Sequence, residues 1–418
     1  MTSFPRRVFI TGAGSLCSLG TNSAQCWSAL CEGRSGIAPI QSVDMQGLRF
    51  QNGAEVHEFR AADYFEAARC DLIDRFAQFA VVAAREAVGT AGFDLSSSQP
   101  LAKISSKLAV ITGTSMGGQT SLDRGFEAIY KQGRPRPHPF TIPLTMYNAG
   151  ASQISMDLGT TGPAFTISTA CASATHAIGQ AFWMVRSGAA EAAICGGSEA
   201  PFSPGILRAW EAMRVVSPDV CRPFSRDRRG LTLGEGAAML YLEPLESAVA
   251  RNAPILGEVV GFGMSSDAGH ITQPNISGPA SAIAAALGDA HIPPEVVGYI
   301  NAHGTGTTAN DVTETQAIRE VFGAHADTLA ISSTKSMHGH ALGAAGALEA
   351  FATLMALREG MLPPTINFNE PDPECNLDII PNIARQKQVE FALSNSFAFG
   401  GLNAVLAFRR WDKDREEI

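Results

Sequence analysis

Two stretches of this chain are long enough for a helix and have no polar face to offer water. Ala172–Val185 and Ala341–Leu357 carry small or apolar residues on nearly every side, and Glu349 is the only charge in the second. A helix of that kind has to be covered all round, so the fold must enclose two helices completely. Each run follows a reactive residue, Cys171 or His340, and each is followed by a turn containing Gly188 or Gly360. The pattern predicts one structural unit used twice. Pro244, Pro254 and Gly257 interrupt it between the two copies, giving an N-terminal half at 1–255 and a C-terminal half at 256–418. Nothing there has the composition of a disordered linker, so the halves should share one core.

Around the two runs, β-rich segments alternate with helical ones. Arg7–Thr11, Leu108–Ile111, Ala192–Cys195, Ala238–Leu242 and Val297–Asn301 read as strands. Residues 74–91, 173–187, 279–290, 313–322 and 341–358 read as helices. That alternation predicts an α/β protein with a parallel or mixed sheet. The charged tail at 411–418 is expected to fray.

The net charge of −9 argues against a nucleic-acid partner, since neutralising phosphates needs a basic surface. Eight scattered cysteines with no CxxC pair fit a reducing, cytoplasmic setting, where thiols behave as small hydrophobes. Arg6-Arg7 before Val8-Phe9-Ile10 mimics a signal peptide, but Thr11-Gly12-Ala13-Gly14-Ser15 breaks the apolar run at once. No stretch of about 18 uncharged apolar residues is present, so no spanning helix is expected.

Cys171 stands in Ser168-Thr169-Ala170-Cys171-Ala172-Ser173, where a strand-like run gives way to the first enclosed helix. A helix start would favour its thiolate, and its own N–H could hold an oxyanion. The ordinary alternative, a buried structural thiol, suits Cys195, which sits inside a strand with no such turn. His303 ends a strand in Asn301-Ala302-His303-Gly304-Thr305-Gly306-Thr307, a loop of small and hydroxyl residues through which backbone can approach a ligand. His340, at the mouth of the second enclosed helix, should be a neutral imidazole because burial disfavours the cation. His338 and His340 resemble half of a zinc site, but no further ligands complete a tetrahedral set. Two other patterns are decoys. Gly113-Thr114-Ser115-Met116-Gly117 matches a hydrolase elbow yet leaves Cys171 and His340 without a use. Gly12-Ala13-Gly14 suggests a dinucleotide loop, but Cys17 stands where its third glycine belongs.

Taken together, Thr169-Ala170-Cys171, the 301–307 loop, Ser333-Thr334-Lys335-Ser336 with Gly339-His340, and Ser394-Asn395-Ser396-Phe397-Ala398-Phe399-Gly400-Gly401 resemble the β-ketoacyl-acyl-carrier-protein synthases. These are elongating condensing enzymes of the thiolase superfamily. The resemblance runs from Arg7 to about Phe408. It implies a duplicated, layered α-β-α-β-α fold and a decarboxylative Claisen condensation between an acyl chain on Cys171 and malonyl-acyl-carrier protein. His303 and His340 would stabilise the enolate, with the N–H groups of Cys171 and Phe399 as oxyanion hole. Lys335 and Glu349 would pair to hold the His340 helix, and Thr305 and Thr307 would bind the pantetheine arm. Phe399 would gate the site and Met116 would line the acyl pocket. Asn301, Glu349 and Ser394 would frame a monovalent cation.

The resemblance implies no cofactor beyond the carrier's phosphopantetheine, no catalytic metal, and a homodimer. Docking of the acidic carrier protein would use Lys131, Arg134 and Arg136, joined by Arg208 and Arg214. Ala398 departs from the commonest family pattern and would stiffen the gate loop, while Ser225 and Ser336-Met337-His338 point towards nodulation-type or other specialised-lipid members. A polyketide or aryl-polyene ketosynthase acting with a partner subunit is the alternative. A chain-length subunit without catalysis is disfavoured by the presence of Cys171.

Overall fold

The computed structural model describes residues 5–96 and 101–412. Its centre is one mixed sheet of 11 strands. The N-terminal half supplies β1 (Val8–Cys17), β2 (Leu108–Gly113), β3 (Ala164–Ile167), β4 (Ala192–Glu199) and β5 (Gly236–Pro244). The C-terminal half supplies β6 (Gly257–Ser266), β7 (Val297–Asn301), β8 (Ala330–Ser332), β9 (Asp378–Ile379), β10 (Phe391–Ala398) and β11 (Leu402–Arg409). β1 and β6 pair antiparallel at the centre through Val8–Val259, Phe9–Glu258 and Ile10–Gly257. Outwards from this seam the order is β1-β5-β4-β2-β3 on one side and β6-β11-β10-β7-β8-β9 on the other. Leaving out the short edge strand β9, both sides repeat the same path. The pairing senses match as well: two antiparallel steps, then two parallel ones.

Strand side chains alternate between two hydrophobic layers, as a period of two requires. In β4, Ala193 and Cys195 face the central layer, while Ala192 and Ile194 face an outer one. In β11, Ala404, Leu406 and Phe408 face the central layer, while Val405 and Ala407 face the opposite outer one. The outer layers are covered by α1 (Arg75–Thr90) on the N-terminal side and by α3 (Ser277–Ala290) and α4 (Thr308–Phe322) on the other. The central layer holds the two enclosed helices, α2 (Ser173–Ser187) and α5 (Ala345–Glu359). The result is the five-layered α-β-α-β-α arrangement.

Local sequence explains most of the boundaries. Asp74 caps α1 by accepting the Phe76 N–H, and α2 and α5 stop at Gly188 and Gly360, both left-handed. The second enclosed run begins later than its composition suggests. A tight turn at Leu342–Ala344 precedes α5, with Leu342 at φ 47°. Conversely, α4 starts at Thr308 rather than 313, because Thr307 caps it. The Gly12-Ala13-Gly14 motif lies within β1, and β-carbons at 12 and 14 would overlap the Ala87 and Ala83 carbonyls of α1. Those glycines serve close strand–helix packing, not phosphate binding. At the tail, Trp411 packs edge-on against Phe9 at 5.2 Å, while residues 413–418 lie outside the described residues. Among the described residues no helix is long and apolar enough to cross a membrane.

The two enclosed helices meet where Gly346 of α5 faces Thr175 of α2. A β-carbon at 346 would overlap Thr175 Oγ1 and lie 3.0 Å from Ser396 Oγ. Gly346→Val should therefore destabilise the protein by about 1–3 kcal/mol, the usual range for overpacking. A lowered thermal midpoint is the expected result, and an unchanged one would rule out so tight a crossing.

Candidate active site

The turn before α2 is built to expose one sulfur to a buried cleft. Ala170 adopts φ 48°, a conformation that strains a residue with a β-carbon. Ser173 holds it by donating to the Ala170 carbonyl at 2.7 Å and accepting the Thr169 N–H at 2.9 Å. Cys171 follows, 8% exposed, with its Sγ 3.0 Å from His340 Nε2. A helix start was expected to favour the thiolate; here burial wins. It pushes the thiol up to about 12, against the lowering effects of the Lys335 ammonium and the Phe399 N–H. The resting sulfur is a neutral thiol.

His303 follows β7. Its N–H and that of Gly304 donate to the two oxygens of Glu314 on α4, at 2.9 and 2.8 Å. Lys335 Nζ lies 2.6 Å from the His303 carbonyl and 3.2 Å from its Nδ1, and also pairs with Glu349. An ammonium has donors only. His303 Nδ1 must therefore accept, which puts the ring proton on Nε2. The expected pair of Lys335 and Glu349 is present, but its direct hold is on His303, tying that loop to α5.

His340 is fixed through its backbone: its N–H donates to Thr232 at 2.6 Å and its carbonyl accepts from Gly234 at 2.9 Å. The His303 and His340 rings meet at 85° with centroids 5.5 Å apart. Burial first, and Lys335 next, push both imidazoles well below the usual histidine range. Both are neutral, as the sequence implied for His340. The ligand atoms of Cys171, His303 and His340 all lie within 4.8 Å of one another. His338 uses both ring nitrogens elsewhere, on the Gly339 carbonyl and Thr334 Oγ1.

These groups open into a cleft of about 60 Å³ that Thr305, Thr307, Trp210 and Phe399 also line. The two threonine hydroxyls are 2.9 Å apart. Phe399 stacks on Trp210 with centroids 6.4 Å apart, and its loop is pinned by Gly400 N–H to the Ile271 carbonyl and Asp267 N–H to the Gly401 carbonyl. Met116 is not in the cleft wall. It packs with Leu231 and Leu342 in a neighbouring cluster, and Leu231 itself reaches the cleft.

Ser115 Oγ donates to Glu199 at 2.6 Å, so its partner is a carboxylate rather than a base histidine, and the hydrolase elbow has no chemistry to perform. Glu199 also accepts from Thr114, Met116 N–H and Gly343 N–H. Cys195 is fully buried and its thiol is pushed far up by desolvation. Asn301 Oδ1, Glu349 Oε2 and Ser394 Oγ, with Asn395 Oδ1, are buried and lack protein partners. Asn301 and Ser394 stand opposite each other in the β7–β10 register. Hard oxygens of this type suit a cation such as K⁺ or Na⁺. Lys131, Arg134, Arg136, Arg208 and Arg214 are all exposed. Arg208 shares the helix Pro204–Met213 with Trp210, and Arg214 ends it.

Sequence reasoning missed Glu314, Asp267 and Trp210. Glu314 carried a usable signal, as an acidic residue on the buried face of a helix beginning at a capped Thr307. Asp267 and Trp210 reach the cleft only through loop and helix packing that no local pattern announces.

The model of the β-ketoacyl synthase N-terminal domain matches residues 5–248, and that of the C-terminal domain matches residues 256–369. Nodulation protein E of Rhizobium sp. is 48% identical over 405 residues, covering 97% of this chain and 99% of that protein. The 3-oxoacyl-[acyl-carrier-protein] synthase 2 of Synechocystis sp. is 43% identical over 414 residues, covering 97% and 98%. Among solved structures, the ishigamide ketosynthase/chain length factor superposes with a TM-score of 0.92 at 38% identity, covering 98% of this chain and all of that one. With Cys171, His303 and His340 gathered on a duplicated five-layer core, the chain belongs to the β-ketoacyl synthase family.

Proposed function

We propose that this protein condenses an acyl chain held on Cys171 with malonyl-acyl-carrier protein, releasing CO₂ and giving a 3-oxoacyl-carrier protein for fatty-acid or specialised-lipid synthesis. The observation that carries the reading is the buried triad of Cys171, His303 and His340, with reactive atoms within 4.8 Å. In the first half-reaction the Cys171 thiol passes its proton to His340 Nε2 as sulfur attacks the incoming thioester. The oxyanion is met by the N–H groups of Cys171 and Phe399, and the carrier's thiol leaves with a proton. In the second, His303 Nε2–H donates to the malonyl thioester oxygen, joined by His340 in the neutral tautomer that carries its ring proton on Nε2, so that loss of CO₂ leaves a held enolate. Its α-carbon attacks the acyl carbonyl, the bond to Cys171 sulfur breaks, the expelled thiolate takes up a proton to restore the resting thiol, and the chain grows by two carbons. Thr305 and Thr307 hold the pantetheine arm, Phe399 gates it, and the exposed basic residues from Lys131 to Arg214 receive the carrier protein.

Two halves, 1–255 and 256–418, sharing one core account for the repeated strand path. We further infer a homodimer. The edge strand β3 exposes Phe165, and Ile142, Phe140 and Tyr130 are exposed as well, large apolar side chains of the kind a partner subunit covers. Likeness to the ishigamide ketosynthase/chain length factor favours a second reading, in which a related but non-identical subunit covers them. Light scattering on the purified chain should give a dimer mass; a stable monomer would favour the second reading.

His303→Ala and His340→Ala should each slow malonyl decarboxylation by about 10²–10³-fold, the usual loss for one oxyanion donor. Acyl loading, followed by intact-protein mass, should suffer less in His303→Ala; His340→Ala, which also loses the base for the thiol, should slow loading too, and Cys171→Ala abolishes it. An acyl adduct on Ser115, or none on Cys171, would overturn the assignment. Because burial and Lys335 keep both histidines neutral, the acid limb of kcat/KM should lie well below the ordinary histidine value of about 6.5. Lys335→Met removes a lowering influence and leaves Glu349 unpaired, so the limb should move to higher pH. A limb that stays put would contradict the electrostatic role given to Lys335.

A further inference from the structure

Away from the cleft, two thiols face each other without a role in the condensation. Cys17 ends β1 and Cys26 lies on the helix Ser23–Glu32, with their sulfurs 3.8 Å apart. Residues 17 and 20 exchange both backbone hydrogen bonds, so the connection between the two cysteines is a tight hairpin. A cavity of about 320 Å³ reaches this hairpin, lined by Cys17, Ser18, Gln25, Arg34 and His57. Ser18 Oγ is buried there with no partner. The site thus joins a reachable thiol, a second thiol in line with it, and a spare polar group.

The same hairpin backs the catalytic turn from two directions. Cys17 stands opposite Gly236 in the β1–β5 register, and a β-carbon at 236 would lie 3.0 Å from Cys17 Cβ. Two residues upstream, Gly234 donates to the His340 carbonyl, and Thr232 accepts the His340 N–H. Beyond the Cys26 helix, Gly36 donates to the carbonyl of Met337, just before His340. Movement at the thiol pair therefore has a bonded path to His340 on either side.

We propose that Cys17 and Cys26 are a redox modification site, closed to a disulfide by a hydroperoxide, and that closure displaces His340. Cys17 sulfur attacks the terminal peroxide oxygen, the O–O bond breaks, and Cys17 sulfenic acid forms with water from hydrogen peroxide. Cys26 sulfur then attacks the sulfenic sulfur; the S–O bond breaks, and the departing hydroxide takes the Cys26 proton as a second water. Two thiols are oxidised by two electrons and one peroxide is reduced. The bond from Cys26, followed by the Leu19 and Gly20 N–H groups, holds the Cys17 thiol below its usual range despite burial. That suits it to be the attacking partner. Cys171, pushed up to about 12, is the slower target. A disulfide needs sulfurs about 2.0 Å apart, so closure draws the hairpin in against a ladder already tight at Gly236.

The modification stands on this geometry; its effect on turnover rests on the role proposed for His340. Purified protein, first shown to turn over malonyl-carrier protein in reductant, is treated with hydrogen peroxide, alkylated and digested with trypsin. Residues 8–34 form one tryptic peptide containing Cys17, Cys26 and Cys31. It should lose the mass of two hydrogens, with fragmentation placing the bond between Cys17 and Cys26. Condensation should fall about tenfold or more, as slight misplacement of a catalytic group allows, and recover in dithiothreitol. Cys26→Ala and Cys17→Ser should turn over normally in reductant and lack the reversible step. No bond in this peptide, a bond using Cys31, full turnover with the bond closed, or equal reversible loss in the variants would each overturn the proposal. Absence of turnover before oxidation would count against the condensing reading, while the peptide map still decides the disulfide.

Discussion

The Lys335 ammonium is the interaction on which the site depends. It is fully buried and shared among the His303 carbonyl, His303 Nδ1 and Glu349. An unpaired charge at such depth would not be tolerated, so the four groups have to be placed together or not at all. That requirement links the loop after β7 to α5 and fixes the tautomer of His303. It also sets a positive potential beside both imidazoles that adds to burial in keeping them neutral. Glu349, pushed up to about 7 by burial against the pull of Lys335, is held in place by the same bargain.

The duplicated path gives this arrangement its frame. Each half ends its enclosed helix on the same seam, and each approaches that helix through a strained turn, at Ala170 in one and Leu342 in the other. The first turn presents the nucleophile and the second follows the imidazole that faces it. Glu199 ties the 114–116 turn of the N-terminal half to the Leu342–Ala344 turn of the C-terminal half. A site assembled from both copies of a repeat is then positioned by the core itself, not by mobile loops.

Much of this was legible in the residues. Two helices without polar faces announced the enclosed layer, and Cys171, His303 and His340 were marked by their turns and small neighbours. β6 and β10 were less visible because glycines and serines dilute their period-two signal, and β11 because it is buried on both faces and shows little alternation. The state of the Cys171 thiol could not be read from its helix alone, since the outcome was decided by how deeply the fold buries it. Met116, expected to line the acyl pocket, packs beside the cleft with Leu231 and Leu342, on a turn whose backbone Glu199 anchors.

A neutral thiol beside a neutral imidazole has a consequence for the charge balance of the cleft. Moving one proton from Cys171 to His340 creates an ion pair whose members are 3.0 Å apart and cancel at a distance, so the net charge of the pocket is the same before and after. When the thioester forms, the pair disappears with the leaving thiol's proton. During loading, therefore, the apolar interior never has to solvate a lone ion of its own making. The net charge it must handle later arrives on the malonyl carboxylate, passes to the enolate as neutral carbon dioxide leaves, and ends on the Cys171 sulfur, where a proton restores the resting thiol.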